Sequence, residues 1–284
     1  ENKETLISEL NYQDYEDGVK PISASLSKES QSLLEKILHE SVELGSIADI
    51  TRGVHPYRVG GFGKSAFVPG FQIQRDVDER PYHSIKFKEG YRPFIYGKDL
   101  KPFCITQPKE YIYYGDWLAE PRDEKYFFGE RIFSRKILGR TLIVTIEKED
   151  TVADQQVYIT KPRGSNTMIN YLAAILGSKL ISFFIRHFYD EINDAFPQIK
   201  VIQLRSLPIK IANSNIQNEI SILIEETLHS NSELASVTLE SRREQLQAKI
   251  DHCEERVNRL VYELYGLTEE EIAVVESGGF GAVR

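Results

Sequence analysis

Several stretches of the sequence contain residue types that perform catalysis in other proteins, and their spacing decides whether they can do so here. The glycine-rich run at residues 60–65 ends in Gly63-Lys64-Ser65, like the end of a phosphate-binding P-loop. A P-loop requires another glycine five positions before Gly63, and Arg58 stands there. We therefore expect a flexible basic loop whose glycines let the main chain approach a phosphate group closely.

Other catalytic patterns are equally incomplete. The tripeptide Asp123-Glu124-Lys125 has the Asp-x-Lys spacing of some nucleases, but such triplets occur by chance in many chains. The six histidines are scattered, without a pair at helical ligand spacing and without an HExxH pattern. The sequence also has no NPPY-type tetrapeptide and no glycine spacing that fits an S-adenosylmethionine loop. These observations predict neither a catalytic site nor a bound metal in the chain itself.

Cysteine content and hydropathy bear on where the protein works. Cys104 and Cys253 lie far apart, and neither has a Cys or His neighbour at metal-ligand spacing. We expect free thiols in a reducing compartment, which indicates a cytoplasmic protein. The sequence contains no run of about 18 apolar residues, the length that spans a membrane as a helix. The chain begins at Glu1 and has a single methionine, Met168, so we expect it to be part of a longer polypeptide.

Charge is distributed unevenly along the chain, although its net value is −8. Residues 44–212 contain 25 Lys and Arg against 19 Asp and Glu, which makes this middle region positive. The two ends contain the other 10 basic and 24 acidic residues. A basic middle between acidic ends indicates that the middle faces a polyanion, with chance asymmetry as the alternative.

Hydrophobic periodicity divides the chain into three segments. Residues 1–43 are predicted to be a linker followed by one helix. Residues 44–212 combine short strands, many prolines and a strongly apolar helix at 168–188. Residues 213–284 form a predicted helical spacer and tail, in which one very long helix or two in sequence fit equally well. The fold class is therefore α+β: a mixed, irregular β-sheet domain with a buried helix, followed by a long helical tail.

Residues 131–160 are predicted to form the structural centre of the middle segment. Leu138-Gly139-Arg140-Thr141 has the glycine that a type II′ hairpin turn takes at its first central position. Cations at positions 131, 135, 136 and 140 lie on or beside this turn. The sequence therefore predicts a hairpin with apolar strands and a basic tip, whose arginines face DNA or pair with the nearby acidic residues 147 and 150.

Several stretches in this order resemble the TaqI-like C-terminal specificity domain of adenine-N6 DNA methyltransferases and fused type IIG restriction-modification enzymes. This domain is related to half of a type I specificity subunit. The stretches are LGSIADITRGVHPYR (44–58), FIYGKDLKPF (94–103), RIFSRKILGRTLIVTIEKEDTVADQQVYIT (131–160), YLAAILGSKLISFFIRHF (171–188) and FPQIKVIQLRSLPI (196–209). The tail at 250–277 resembles the helical C-terminus of the same enzymes.

The resemblance implies a target recognition domain that reads a short DNA sequence on behalf of a catalytic domain. A methyltransferase domain precedes this region in such enzymes, so the parent protein would be a site-specific adenine DNA methyltransferase, with or without endonuclease activity. S-adenosyl-L-methionine would bind that domain, and this chain would hold no cofactor. Double-stranded DNA and the methyltransferase domain of the same polypeptide are the implied partners, and whether the chain alone is an enzyme stays uncertain.

Candidate contacts to DNA are basic, histidine or amide side chains on predicted loops of the middle segment. Lysines suit phosphate contacts, which make affinity depend steeply on salt. Arginine suits guanine, and Asn or Gln suits adenine, because each pairing makes two parallel hydrogen bonds. The predicted phosphate contacts are Lys64, Lys98, Lys101, Lys136 and Lys200. The predicted base-edge contacts are Arg52, His55, Arg58, Arg135, Arg140, Arg163, Asn166 and Gln198.

Two other functions compete with sequence-specific DNA recognition. In the first, the chain is a helical protein-interaction module whose basic residues are incidental. In the second, it is an independent nuclease or transferase. Basic residues that scatter over the folded surface would favour the interaction module, and activity of the chain alone would favour an enzyme.

Overall fold

The computed structural model describes residues 28–164, 166–189 and 197–277; the predicted linker at 1–27 lies outside them. The helices are α1 (Lys28–Leu38), α2 (Leu44–Ile47), α3 (Gln74–Glu79), α4 (Asn166–Gly177), α5 (Lys179–Phe188), α6 (Val201–Arg205), α7 (Ser214–Ser236), α8 (Glu240–Leu264) and α9 (Glu269–Ser277). The strands are β1 (Val42–Glu43), β2 (Ala48–Arg52), β3 (His83–Ser84), β4 (Tyr91–Ile95), β5 (Leu100–Lys101), β6 (Cys104–Ile105), β7 (Glu110–Tyr113), β8 (Arg131–Arg135), β9 (Val144–Glu147), β10 (Val152–Ala153), β11 (Val157–Pro162) and β12 (Pro208–Ile209). The mixture of helix and sheet confirms the predicted α+β class.

The central sheet is antiparallel, with strand order β2-β11-β8-β9. Its side chains alternate between two cores because successive strand residues point to opposite faces. Ile132 and Tyr158 pack on the helices, whereas Phe133 and Ile159 pack on a second sheet. Burial on both faces explains why these strands read as nearly continuous apolar runs.

The second sheet has the order β10-β4-β7-β3, with β10 and β4 parallel and the other pairs antiparallel. The chain leaves β4 through a 3-10 helical turn, Gly97–Asp99, and enters the short pair β5 and β6. An aromatic cluster lies against this sheet: Tyr114 and Trp117 pack on its core, and Tyr113 stacks on Trp117 with ring centroids 4.3 Å apart. These aromatics therefore stabilise the sheet.

The turn predicted around Gly139 takes a different form. β8 and β9 pair as expected, but residues 136–143 connect them, which is much longer than a two-residue turn. Gly139 does not have the positive φ that a type II′ turn requires. The connection pairs instead with the segment before α6, where the Leu138 amide donates to the Pro197 carbonyl. The prediction was wrong because a distant segment supplies backbone partners that the local pattern does not reveal.

Arg131 does not contribute to a basic tip, because its side chain is fully buried at the start of β8. Its guanidinium donates to the carbonyls of Gly129, Glu149 and Thr151 at 2.7, 2.8 and 3.1 Å. Burial lowers the pKa of Arg131 to about 10, so it remains charged at neutral pH. Its role is to join the segment that precedes β8 to the connection between β9 and β10.

The predicted apolar helix at 168–188 is formed by α4 and α5, which are bent by 56° relative to each other. The hydroxyl of Ser178 caps α5 by accepting a hydrogen bond from the Ile181 amide. Among the described residues, no single helix is long and apolar enough to cross a membrane. The bent pair α4–α5 together has the length and composition of such a helix, but most of its side chains are buried in the core. The buried helix of the prediction is therefore confirmed, with a break at Ser178.

The helical tail forms two helices, which settles the alternative that the sequence left open. Residues 237–239 separate α7 from α8, and the two helices pack against each other as an antiparallel pair. Ion pairs join them at both ends: Arg242 contacts Glu233 at 2.8 Å, and Arg256 contacts Glu219 at 2.8 Å. Their buried side chains, together with α4, belong to the core on the helical side of the central sheet.

The first and last described helices complete that core. Leu33 and Ile37 of α1 and Val275 of α9 are buried in it. Lys36 bonds Glu271 at 2.7 Å, and Thr268 and Glu271 form a capping box at the start of α9. A single core thus receives side chains from all three predicted segments, and the boundaries proposed at 43/44 and 212/213 stay predictions.

Candidate nucleic-acid interface

One end of the central sheet collects most of the predicted contact residues. The strands β2 and β8 flank β11 and end where β11 begins. Arg52, the last residue of β2, lies opposite Tyr158, and Arg135, the last residue of β8, lies opposite Val157. Neighbouring strands lie about 5 Å apart, so both arginines are close to the turn that precedes β11. The loops that leave this end of the sheet carry most of the other candidates.

A single carboxylate, Glu120, organises the cations that follow β2. Arg52 contacts it at 2.6 Å, Arg58 at 3.6 Å and His55 at 3.8 Å, and Arg122 hydrogen-bonds the same group. The backbones of His55 and Glu120 also pair with each other, which fixes the loop after β2 beside Glu120. Three arginines around one carboxylate leave an excess of positive charge, and the Arg58 side chain is 64% exposed.

The protonation states in this cluster assign its positive charge to the arginines. Burial alone would raise the pKa of Glu120, but the hydrogen bond and charge of Arg122 and the charge of Arg52 hold that pKa below its ordinary value. Burial lowers the pKa of His55, and the neighbouring Arg52 adds to this effect, although Glu120 opposes it. Glu120 is therefore ionised and His55 neutral at pH 7, so the excess charge belongs to the arginines.

The turn between β10 and β11 brings Lys98 to the same end of the sheet. The Asp154 carboxylate accepts hydrogen bonds from the amides of Gly97 and Gln156 at 3.2 and 3.0 Å. A side chain at Gly97 would come within 2.9 Å of Gln156, so glycine is needed for this close approach. The Lys98 ammonium lies 5.1 Å from the Tyr96 ring centroid and is exposed to solvent.

Asp154 is the most strongly perturbed carboxyl at this end of the sheet. Burial raises its pKa to about 6, the nearby charge of Asp99 acts in the same direction, and two backbone hydrogen bonds and Lys98 oppose it. It lines a cleft of about 330 Å³ together with Tyr57, His83 and Lys98. The Tyr57 hydroxyl lies 2.9 Å from Nδ1 of His83, whose pKa burial lowers to about 4.

The connection after β8 adds three more candidates. The Lys136 amide donates to the Gln156 carbonyl at 2.8 Å, and the Lys136 carbonyl accepts from the Ile199 amide at 3.1 Å. Gln198 and Lys200, which flank Ile199, are exposed. We call the resulting surface the basic end; its predicted contacts are Arg52, His55, Arg58, Lys98, Arg135, Lys136, Gln198 and Lys200, and it also includes Glu120, Arg122 and Gln155.

Four described predicted contacts lie outside the basic end, of which Lys64 is in a short ribbon beside it. Arg163 follows the opposite end of β11, where it contacts Asp49 at 2.6 Å and donates to the Ser46 carbonyl. Lys101 lies on β5, and Arg140 lines a cavity of about 190 Å³ between the β8–β9 connection and the helical pair. The side chain of Asn166 is outside the described part of the structure. The basic end therefore contains most, but not all, of the predicted contacts.

The sequence patterns first considered for catalysis have structural roles. Lys64 lies in a short two-stranded ribbon, in which it pairs with Phe71. A P-loop instead connects a strand to a helix, so this segment does not have the P-loop structure. Asp123 caps the 3-10 helical turn Glu124–Phe127 by accepting from the Lys125 amide at 3.0 Å. Within the described ranges, no group of three or more His, Cys, Asp or Glu side chains is arranged to hold a metal ion.

Sequence reasoning missed three residues of the basic end. Glu120 and Arg122 are separated from Arg52 by about seventy positions, and no local pattern links them to it. Gln155 lines the cleft beside Asp154. The Gln155-Gln156 pair between two predicted strands is a signal that could have identified it, because amide side chains on turns suit adenine edges.

A comparison with protein families matches residues 92–209 to the TaqI-like C-terminal specificity domain, which confirms the resemblance noted in the sequence. The matched segment contains Lys98, Arg135 and Lys136 but begins after Arg52 and Arg58. A comparison with curated protein sequences gives no significant match.

Solved structures with a similar fold come from restriction-modification systems. The type IIL enzyme MmeI, solved in complex with DNA, aligns with 84% of this chain and 36% of its own, at 10% identity and a TM-score of 0.51. The type IIG restriction endonuclease BpuSI aligns with 84% of this chain and 33% of its own, at 11% identity and a TM-score of 0.47. The chain thus spans about a third of the length of these proteins. The likeness to MmeI concerns the fold alone.

Proposed function

We propose that this chain is a sequence-specific duplex-DNA recognition module of a restriction-modification system. The observation that carries the proposal is the basic end, where three arginines surround one carboxylate beside the turn between β10 and β11. Phosphate groups bind to such an excess of guanidinium groups through charge-assisted, often bidentate hydrogen bonds. The specificity-domain fold of residues 92–209 supports the same function.

In this proposal some side chains of the basic end contact phosphates and others contact base edges. Arg52, Arg58 and Lys98 contact phosphates, which fixes the position of the duplex. Arg135, Gln155 and Gln198 are candidates for base edges because their side chains carry the paired hydrogen-bonding groups that suit guanine and adenine. The neutral His55 contributes one donor and one acceptor in the same region.

The parent enzyme in this proposal is an adenine-N6 DNA methyltransferase of the type IIG kind, in which a separate domain binds S-adenosyl-L-methionine and performs the chemistry. The antiparallel α7–α8 pair acts as a spacer because α7 packs on α4, α8 packs on α5, and both helices are fixed to the core. An element fixed in this way holds the distance between the site that reads DNA and the site that reacts. The protein works in the cytoplasm, where its DNA substrate is found.

The competing hypothesis places the function in the helical tail as a protein-interaction module. The apolar side chains of α7 and α8 are used largely for packing: Ile220, Ile224, Ile250 and Val257 are all buried. The basic end, in contrast, gathers cations that the interaction hypothesis leaves without a role. The distribution of charge therefore favours DNA recognition.

Selection from a random duplex pool tests the proposal. The full chain is incubated with the pool, bound duplexes are recovered by electrophoretic shift, and the enriched sequences are read. We expect one enriched motif and a higher affinity for it than for a scrambled duplex. Binding without enrichment, or no binding either alone or after fusion to an adenine methyltransferase domain, would show that the proposed function is wrong.

A further inference from the structure

A short ribbon beside the basic end presents two phenylalanines to solvent. Its two sides pair through Lys64 and Phe71, and the Gln72 amide donates to the Gly63 carbonyl at 2.8 Å. The Ser65 amide donates to the Gly70 carbonyl at 3.0 Å at the next position. These bonds define residues 62–72 as a two-stranded ribbon, which we call the aromatic ribbon.

One face of the aromatic ribbon is anchored to the protein. Gln72 is buried, and its side-chain amide donates to the carbonyls of Pro56 and Trp117, both at 3.0 Å. Its side-chain carbonyl accepts from the Arg58 amide at 2.8 Å. A side chain at Gly63 would come within 2.8 Å of the backbone of Ala119, so this face lies directly on the body of the protein. The ribbon is therefore fixed relative to Arg58 and the Glu120 cluster.

The opposite face is exposed. Along each side, burial alternates: Phe62 and Lys64 are exposed around buried Gly63, and exposed Phe71 precedes buried Gln72. This alternation places Phe62, Lys64 and Phe71 on one face, because neighbouring residues of an extended chain point in opposite directions. The two rings are 87% and 62% exposed. The ribbon holds two large apolar side chains in water, separated by a cation.

The surroundings of these rings indicate what covers them. An apolar protein surface that covered the rings would also contact the cation Lys64 between them and the arginines around Glu120, which include Arg58. Duplex DNA offers both complementary features, since its phosphates are anionic and its bases have apolar π-faces. Apolar side chains inserted between base steps unstack them locally, at a cost that contacts to the bent duplex offset.

We propose that Phe62 and Phe71 insert at a base step of the bound duplex while Lys64 contacts the adjacent phosphate. This inference rests on the proposed DNA-binding function and adds to it a site that distorts the duplex. The aromatic ribbon would then favour sequences that contain a flexible pyrimidine–purine step at that position, although no hydrogen bond reads it.

Fluorescence of 2-aminopurine tests the insertion directly, because its emission rises when the base is unstacked. The probe is placed in turn at each position of the selected duplex, and the full chain is added. We expect an increase at one step that is lost in Phe62→Ser and Phe71→Ser, with a loss of affinity of about tenfold for each variant. Phe62→Tyr keeps a ring and should keep the signal.

A matched control is Leu239→Ser, which removes an equally exposed apolar side chain (67%) at the turn between α7 and α8. This variant should bind DNA as the unchanged protein does. Thermal unfolding of all variants checks that the fold is kept. Unchanged affinity and unchanged 2-aminopurine signal in both serine variants would overturn the insertion while leaving DNA recognition intact.

Two other outcomes would also overturn the proposal. If sedimentation shows that the chain self-associates and that the serine variants prevent this without changing DNA binding, the rings form a contact between copies of the protein. If the unchanged chain fails to bind any duplex, the proposed function itself fails, and the insertion fails with it.

Discussion

Arginines at the basic end and two arginines that join α7 to α8 differ in how they share their acidic partners. On the helical pair, Arg256 pairs with Glu219 and Arg242 pairs with Glu233, so that each of these two arginines has a separate acid across the pair. At the basic end, Arg52, Arg58 and Arg122 share the single carboxylate of Glu120. The first arrangement is neutral, and the second leaves an excess of positive charge.

This difference separates cations that stabilise a fold from cations available to a ligand. An exposed pair with matched charges contributes little energy, typically less than about 1 kcal/mol, and attracts no anion. Several guanidinium groups held around one carboxylate repel one another and gain when an additional anion arrives. Net charge of the whole chain, which is −8, hides this contrast.

The largest expected effect on stability belongs to an arginine that is neither exposed nor shared. Arg131→Ala removes the donor to three backbone carbonyls and leaves a cavity, so we expect unfolding free energy to fall by about 3 kcal/mol. Denaturant titration measures this change. Arg135→Ala, at the other end of the same strand, where the side chain is half-buried, is the control and should cost less than about 1 kcal/mol while weakening DNA binding. Equal destabilisation by both variants would contradict the distinct roles assigned to them.

Glu120→Gln tests whether the shared carboxylate orients the arginines. Gln keeps the size and some hydrogen-bonding capacity of Glu120 but removes the charge that holds Arg52 and Arg122. We expect the preference for the selected duplex over a scrambled one to fall about tenfold, because misplaced arginines lose directional contacts before they lose charge attraction. Competition binding measures the preference. An unchanged preference would mean that Glu120 has no organising role.

Asp154→Asn tests the perturbed carboxyl beside Lys98. Because the pKa of Asp154 is raised to about 6 in the folded protein, the folded state holds this proton more tightly than the unfolded state. Its stabilising contribution is full below about pH 4 and is lost as pH rises through about 6. We expect the unfolding free energy of the variant to lack this pH dependence. At pH 7.5 it should be about 1–2 kcal/mol higher than that of the unsubstituted protein. Denaturant titrations at pH 4.5 and 7.5 check this, and parallel curves for both proteins would contradict it.

The smallest effect is expected for Arg256→Ala on the helical pair. This variant breaks one exposed ion pair with Glu219, so stability should change by less than about 1 kcal/mol and DNA affinity should not change. Denaturant titration and electrophoretic shift measure the two quantities. A loss of DNA affinity would place the helical pair at the interface and remove the contrast between the two regions.

Local sequence patterns predicted the parts of the fold that depend on local physics. The apolar runs predicted the strands of the central sheet, and helical spacing of apolar residues predicted the buried helix that forms α4 and α5 and the helical tail that forms α7 and α8. Long-range partners were beyond such patterns: Glu120 meets Arg52, and the Gly139 connection meets Pro197, through contacts that no local spacing encodes. Arg163 illustrates the same limit, because its pairing with Asp49 depends on the register of β2 and β11.

The salt dependence of DNA affinity tests the central claim most directly. Affinity for DNA falls as salt rises, and each phosphate contact that is removed should reduce the magnitude of the slope of log affinity against log salt by about 0.9. For Arg52→Ala combined with Arg58→Ala, we expect the magnitude of the slope to decrease by about 1.8 relative to the unsubstituted protein, whereas Arg256→Ala should leave the slope unchanged. An unchanged slope in the double variant, or an equal loss in Arg256→Ala, would contradict a phosphate-binding role for the basic end.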